Sequence, residues 1–115
     1  MTFSKAREAY VLDKDEKLCI LIATGYGENQ GVAHRSKSIN EVANVNENSP
    51  QWFIDGVNAA LLAPTARNLQ KFSFELAGEK VSVKVNSGIF SDIDTGILKL
   101  HFEIGSGKDS DIWNC

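Results

Sequence analysis

The chain has 115 residues, 43% hydrophobic and 23% charged, with a net charge of -3 and a pI near 5.3. This is the composition of one ordinary globular domain, and it lacks the broad basic face that a phosphate backbone requires. No run of about 18 apolar residues occurs and the opening MTFSKAREAY has no apolar signal-peptide centre, so the expected compartment is the cytoplasm.

Residues 3–12 can form a short helix with Phe3, Ala6 and Ala9 or Tyr10 on one side, followed by the charged turn DKDEK. Residues 17–24, KLCILIAT, are a short apolar run ended by glycine, which predicts a strand covered on both faces. Cys19 lies inside that run and reads as a small buried hydrophobe. With Cys115 it makes neither zinc spacing nor a disulfide framework.

GYGENQGVAHRSKS is a loop by its glycines and small polar residues. Ser38 and Glu41 have capping-box spacing and can open one helical turn. After the polar linker NVNENSP, Ser49 and Pro50 are a helix start, with serine as the cap and proline in the first turn. That helix carries Trp52 or Phe53, Val57, Ala60 and Leu61 on one face. Gly56 and the alanines leave room for another backbone, and Pro64 stops the helix at Ala63.

Residues 71–77 and 80–85 alternate Phe72, Phe74, Leu76 and Val81, Val83, Val85 around Gly78 and Glu79, the pattern of a hairpin. A last helix is expected from Ser91, capped with Asp94, and ended by Gly105 and Gly107. Ile93, Ile97, Leu100 and Ile104 recur at helical spacing and predict its buried stripe. Ile112 and Trp113 interrupt a polar tail and should dock. Strand, helix, hairpin and helix in that order make an α+β fold, a small mixed sheet with a hairpin packed by helices, in a single domain spanning residues 1–115.

Two polar groups stand out. Thr65, Arg67, Asn68 and Gln70 follow the proline stop, and the two amides offer donors and acceptors to a neutral ligand rich in carbonyls and ring nitrogens, such as a flavin. The competing reading is that Thr65 caps a turn while Asn68 and Gln70 bond the backbone. Arg35, Ser36 and Lys37 follow the apolar run and its glycine loop, and can hold a phosphate or can be a solvated basic loop. His34 and His101 each lack a cysteine or carboxylate at ligand spacing, so no metal site is expected.

Residues 63–70, APTARNLQ, resemble the nitroreductase pattern P-S/T-x-x-N-x-Q-P-W, with Lys71 and Phe72 where proline and tryptophan are usual. Ile93, Asp94, Thr95, Gly96 and Ile97 resemble the D-x-G-[IL] opening of that family's later core helix. CILIATGYG with the following HRSK resembles its final core strand, G-Y-P loop and K-x-R phosphate contacts. The order of these motifs resembles the C-terminal half of a branch in which one chain carries two copies of the half-site. The resemblance implies FMN as cofactor, NAD(P)H as electron donor, and hydride transfer through flavin to nitroaromatic or quinone-like acceptors. It places Arg35 and Lys37 near the FMN phosphate, and Pro64, Thr65, Arg67, Asn68 and Gln70 along the ring and ribityl chain. The family's R-R-S-x-R segment is absent from these residues, so a homodimer or a missing N-terminal half is expected to complete the pocket. The alternative is a flavin-free structural or ligand-binding relic of the same fold.

Overall fold

A computed structural model describes residues 9–114 and divides the chain into two compact units, residues 1–32 and 33–115. In the first unit, residues 10–32 form turns but no helix and no strand. The strand expected over 17–24 is therefore not formed. A strand needs a neighbour for its N–H and C=O groups, and no described residue of this unit supplies one. Cys19, Ile20 and Ile22 are exposed rather than buried. The expected helix over 3–12 falls mostly outside the described residues, and residues 10–12 are not helical.

The second unit is built on a hairpin and two packed helices. Its first element is α1, Ile39–Val42, preceded by Ser38. The Glu41 carboxylate accepts from the Ser38 backbone N–H at 2.7 Å and from the Ser38 hydroxyl at 2.8 Å, the reach-back expected of a capping box. The Ser38 backbone N–H, then its hydroxyl, then Lys37, hold the Glu41 carboxyl below its usual range, outweighing a small opposing effect of desolvation. A lowered folded-state value means that the ionised form stabilises α1 above the ordinary carboxylate range. That contribution should fade as pH falls through the lowered value. Glu41→Gln should flatten this acid limb of the stability curve, measured by urea melts between neutral pH and pH about 3.

α2 runs Gln51–Ala60, with Pro50 as the cap. The Pro50 carbonyl accepts from Phe53 and Ile54, while the Ser49 hydroxyl accepts from Asn46 N–H and closes the linker turn. The helix thus starts one residue later than expected. Phe53, Val57, Ala60 and Leu61 face inward, and Trp52 is half-buried. Leu62 and Ala63 tighten onto the carbonyls of Ala59 and Ala60, and Pro64 then points to solvent.

β1 (Phe72–Ala77) and β2 (Lys80–Val85) pair antiparallel in the expected register, Phe72 with Val85, Phe74 with Val83 and Leu76 with Val81. Gly78 takes φ +64 at the turn, a conformation glycine adopts without a Cβ clash. Single parallel bridges extend the hairpin on both sides, Ala43 beside Phe74 and Trp113 beside Val81. Asn44 prolongs the first with its side chain, accepting from Leu76 N–H at 3.0 Å and donating to Leu76 O at 3.3 Å.

α3 spans Ser91–Ser106 and ends at Gly107, which is left-handed at φ 68. Its cap is Phe90 rather than Ser91. The expected buried stripe is overturned at three of its four positions, Ile97 being half-buried against the core. Leu98 and Phe102 are buried, whereas Ile93, Leu100 and Ile104 are exposed. The crossing with α2 explains the choice. A Cβ on Gly56 would lie 2.7 Å from the Phe102 ring, so the glycine makes the socket for that ring. A Cβ on Gly105 would lie 2.9 Å from the Asp55 carbonyl, so Gly105 serves close helix approach and not helix termination. Phe102 stacks on Phe74 at 5.3 Å and packs on Trp113 at 5.1 Å. Trp113 docks as expected, its indole N–H donating to the Glu103 carboxylate at 2.6 Å.

Candidate functional site

Past Pro64 the chain makes a tight turn through the 3-10 segment Ala66–Asn68. Arg67 and Asn68 both have φ 54, and Gln70 has φ 48. Left-handed geometry costs a side-chain-bearing residue roughly 1–2 kcal/mol, so three such residues need outside support. Thr65 provides part of it, as its hydroxyl accepts from Gln70 N–H at 3.1 Å. Asp94 on α3 provides more, its two carboxylate oxygens lying 3.3 and 3.2 Å from Ala66 N–H. The remaining support comes from residues 35–37.

Gln70 is the hub of that second contact and is only 4% exposed. Its Nε2 donates to Arg35 O at 2.7 Å and to Asn68 Oδ1 at 2.9 Å. Its Oε1 accepts from Lys37 N–H at 2.9 Å, and its backbone carbonyl accepts from Lys37 Nζ at 2.9 Å. Asn68 Nδ2 also donates to Arg35 O, at 3.1 Å. His34 and Ser36 sit on the Leu61 carbonyl at 3.0 and 3.2 Å. The amide cluster and the cationic loop, 33 residues apart for the Lys37 and Gln70 pair, therefore meet. They meet through the backbone of the loop and the Lys37 ammonium, so the amides of Asn68 and Gln70 are engaged within the chain.

A cleft of about 630 Å³ opens on the other side of this turn. Pro64, Thr65, Arg67 and Gln70 line it, while Arg35, Lys37 and Asn68 do not. Its other walls are the 86–90 loop and the α3 residues Ile93, Asp94 and Ile97. The volume is that of a small-molecule site, and its lining mixes apolar and polar side chains. Arg67 is exposed there and brings a positive charge. Gln70 thus separates two regions, the cleft and the basic loop.

Two participants were not expected as site residues. The Asp94 carboxylate was expected to cap its own helix, and instead anchors a turn 28 residues earlier. The 86–90 loop carries no chemical motif, and its Ile89 and Phe90 are exposed apolar residues beside the cleft. No group of three or more potential metal ligands occurs among the described residues.

A family model described as "Putative TM nitroreductase" matches residues 1–106. Among solved structures, that of a protein from Thermotoga maritima described as a "putative nitroreductase" aligns with a TM-score of 0.61 at 21% identity. The alignment covers 70% of this chain and 36% of that one, so the chain spans little more than a third of that protein. At that identity the likeness is one of fold. No curated protein matches.

Proposed function

The chain belongs to the family of the "Putative TM nitroreductase" model, and from that premise we infer that it is a nitroreductase-type flavin oxidoreductase or the C-terminal portion of one. The observation that carries this reading is the cleft of ligand size that Pro64, Thr65, Arg67 and Gln70 line after the helix stop. Strained backbone held by several independent contacts is typical of ligand-holding segments.

The donor set suits FMN. The apolar walls accept the faces of a planar ring, the Thr65 hydroxyl keeps its proton to donate, and Arg67 offers a cation. Arg35 and Lys37 are the phosphate candidates, with Lys37 already tethered at its ammonium and the Arg35 side chain exposed. When bound, the flavin would supply hydride acceptance from NAD(P)H and hydride donation to a nitroaromatic or quinone-like acceptor. The role of these residues is to bind and orient the ring and to place positive charge beside it. A second copy, or the remainder of a longer chain, would complete the pocket.

The flavin-free reading is favoured by one observation, the internal engagement of the Asn68 and Gln70 amides. An absorbance spectrum of the purified protein, followed by titration with FMN, decides between them. The flavin reading expects saturable quenching of FMN fluorescence. It also expects Arg35→Ala with Lys37→Ala to weaken binding about 10- to 100-fold, the worth of one or two charge-assisted contacts. Absence of any FMN binding by the intact protein leaves the relic reading in possession.

A further inference from the structure

We propose that the cleft beside the 64–70 turn selects an aromatic acid, a planar ring bearing a carboxylate, and that Arg67 and Lys71 hold its charge. The chain has a net charge of -3, yet the cleft inverts that sign. Its lining includes two cations, Arg67 and Lys71, and a single carboxylate, Asp94. That carboxylate is taken up by Ala66 N–H, with its oxygens at 3.3 and 3.2 Å. Both cations are exposed, and among the described residues neither side chain has a hydrogen bond or an ion pair. Other cations of the same unit are occupied. Lys37 Nζ bonds the Gln70 carbonyl at 2.9 Å, and Lys80 Nζ bonds the Asp111 carbonyl. Lys99 and Lys108 each lie 5.1 Å from an indole ring, that of Trp113 and that of Trp52.

The backbone singles out Arg67. It sits at φ 54, where glycine fits freely and a side chain is strained. Asn68 and Gln70 share that left-handed geometry, but their amides bond within the chain. Among the described residues the Arg67 guanidinium has no such return, so the charge held there serves something outside the chain.

The walls define the rest of the ligand. Phe72, Phe90, Ile93 and Ile97 line the same cleft of about 630 Å³, and apolar and aromatic side chains take the faces of a ring. Lys71 directly precedes Phe72, and Arg67 lies two residues before Leu69, another lining residue, so both cations rise from the apolar lining itself. The anion therefore belongs on the ring and not at the end of a long chain. A guanidinium fork pairs with a carboxylate through two parallel N–H bonds. A neutral ring of the same shape gains the walls alone. In the flavin reading, on which only this last step rests, the selected acid is the nitroaromatic or quinone-like acceptor.

The probes are 2-naphthoate and its neutral counterpart 2-naphthamide, titrated by calorimetry into the 115-residue chain. Naphthoate should bind at least about 10-fold more tightly, the worth of one charge-assisted contact, and should lose that lead as ionic strength rises. Arg67→Gly should remove most of the preference and leave naphthamide binding as it was. It relieves the left-handed backbone, so a loss of folding is not its expected effect. Lys71→Ala should reduce the preference independently. Lys84→Ala, exposed on β2 and away from the cleft lining, should leave it intact. Equal affinity for the two probes, no binding of either, or a preference that survives in the Arg67→Gly, Lys71→Ala double variant overturns the proposal. The FMN titration is read separately. FMN binding without a naphthoate preference sinks this proposal alone, and a naphthoate preference without FMN binding supports the acid-binding cleft while sinking the flavin reading.

Discussion

Phe102→Ala is expected to lower the unfolding free energy by about 3–5 kcal/mol, the range for truncating a fully buried aromatic. The ring has no exposed surface, and it packs against Phe53, Phe74 and Trp113 at centroid distances of 6.0, 5.3 and 5.1 Å. Its edge also fills the space left by Gly56. Collapse into the vacated volume is hard. α2 cannot slide closer, because the Asp55 carbonyl and Ala59 already meet the Gly105 backbone. A domain of this size has roughly 5–15 kcal/mol in all, so the variant should sit near the limit of folding. Leu100→Ala, on the same helix but exposed, should change the isolated chain by less than about 0.5 kcal/mol. Urea melts at dilution provide both values. A larger loss at Leu100 than at Phe102 would restore the other stripe as the core and refute the packing described.

Gln70→Leu is expected to cost about 2–3 kcal/mol and to release the 35–37 loop. Leucine matches the burial but none of the bonding. It leaves Arg35 O with only the 3.1 Å bond from Asn68 and Lys37 N–H without its 2.9 Å acceptor. Leaving such groups unpaired costs about 1–3 kcal/mol each when buried, and less here because both residues lie near water. Leucine also fits a φ of 48 worse than the residue it replaces. Amide hydrogen exchange should show Lys37 N–H losing its protection while the β1 and β2 amides keep theirs. Gln70→Gly separates the two causes, since it relieves the backbone while losing the same side-chain bonds. Undiminished protection at Lys37 in both variants would mean that the loop is held by something else. The flavin reading adds that both variants bind FMN more weakly.

The hairpin was legible because both strands alternate with period 2 about a glycine, and register follows once Phe72, Phe74 and Leu76 must share a face with Val81, Val83 and Val85. α2 was legible because Pro50 and Pro64 bracket it. The Ser38 and Glu41 cap was legible because its partners are three residues apart. The site was legible only in part. Residue type and spacing singled out Arg35, Lys37, Thr65, Arg67, Asn68 and Gln70, but which groups they bond was not encoded in either. Asp94 and the 86–90 loop went unread as site elements, because an anchor 28 residues away and a plain apolar wall have no local signature.

By itself, the sequence determined the elements governed by short-range geometry: the two-residue alternation, the proline stops, the capping turn, and the left-handed turn glycine. Tertiary structure alone decided which of two apolar sides of α3 is the core. Helical periodicity makes Ile93, Ile97, Leu100 and Ile104 as good a stripe as Leu98 and Phe102. The selection comes from a complementary surface, the socket at Gly56 and the close approach at Gly105, and such fit exists only once two distant segments are in contact. The strand expected over 17–24 teaches the same lesson from the other direction. An apolar, β-prone run is only a candidate strand until a neighbour offers the hydrogen bonds that its backbone cannot make alone.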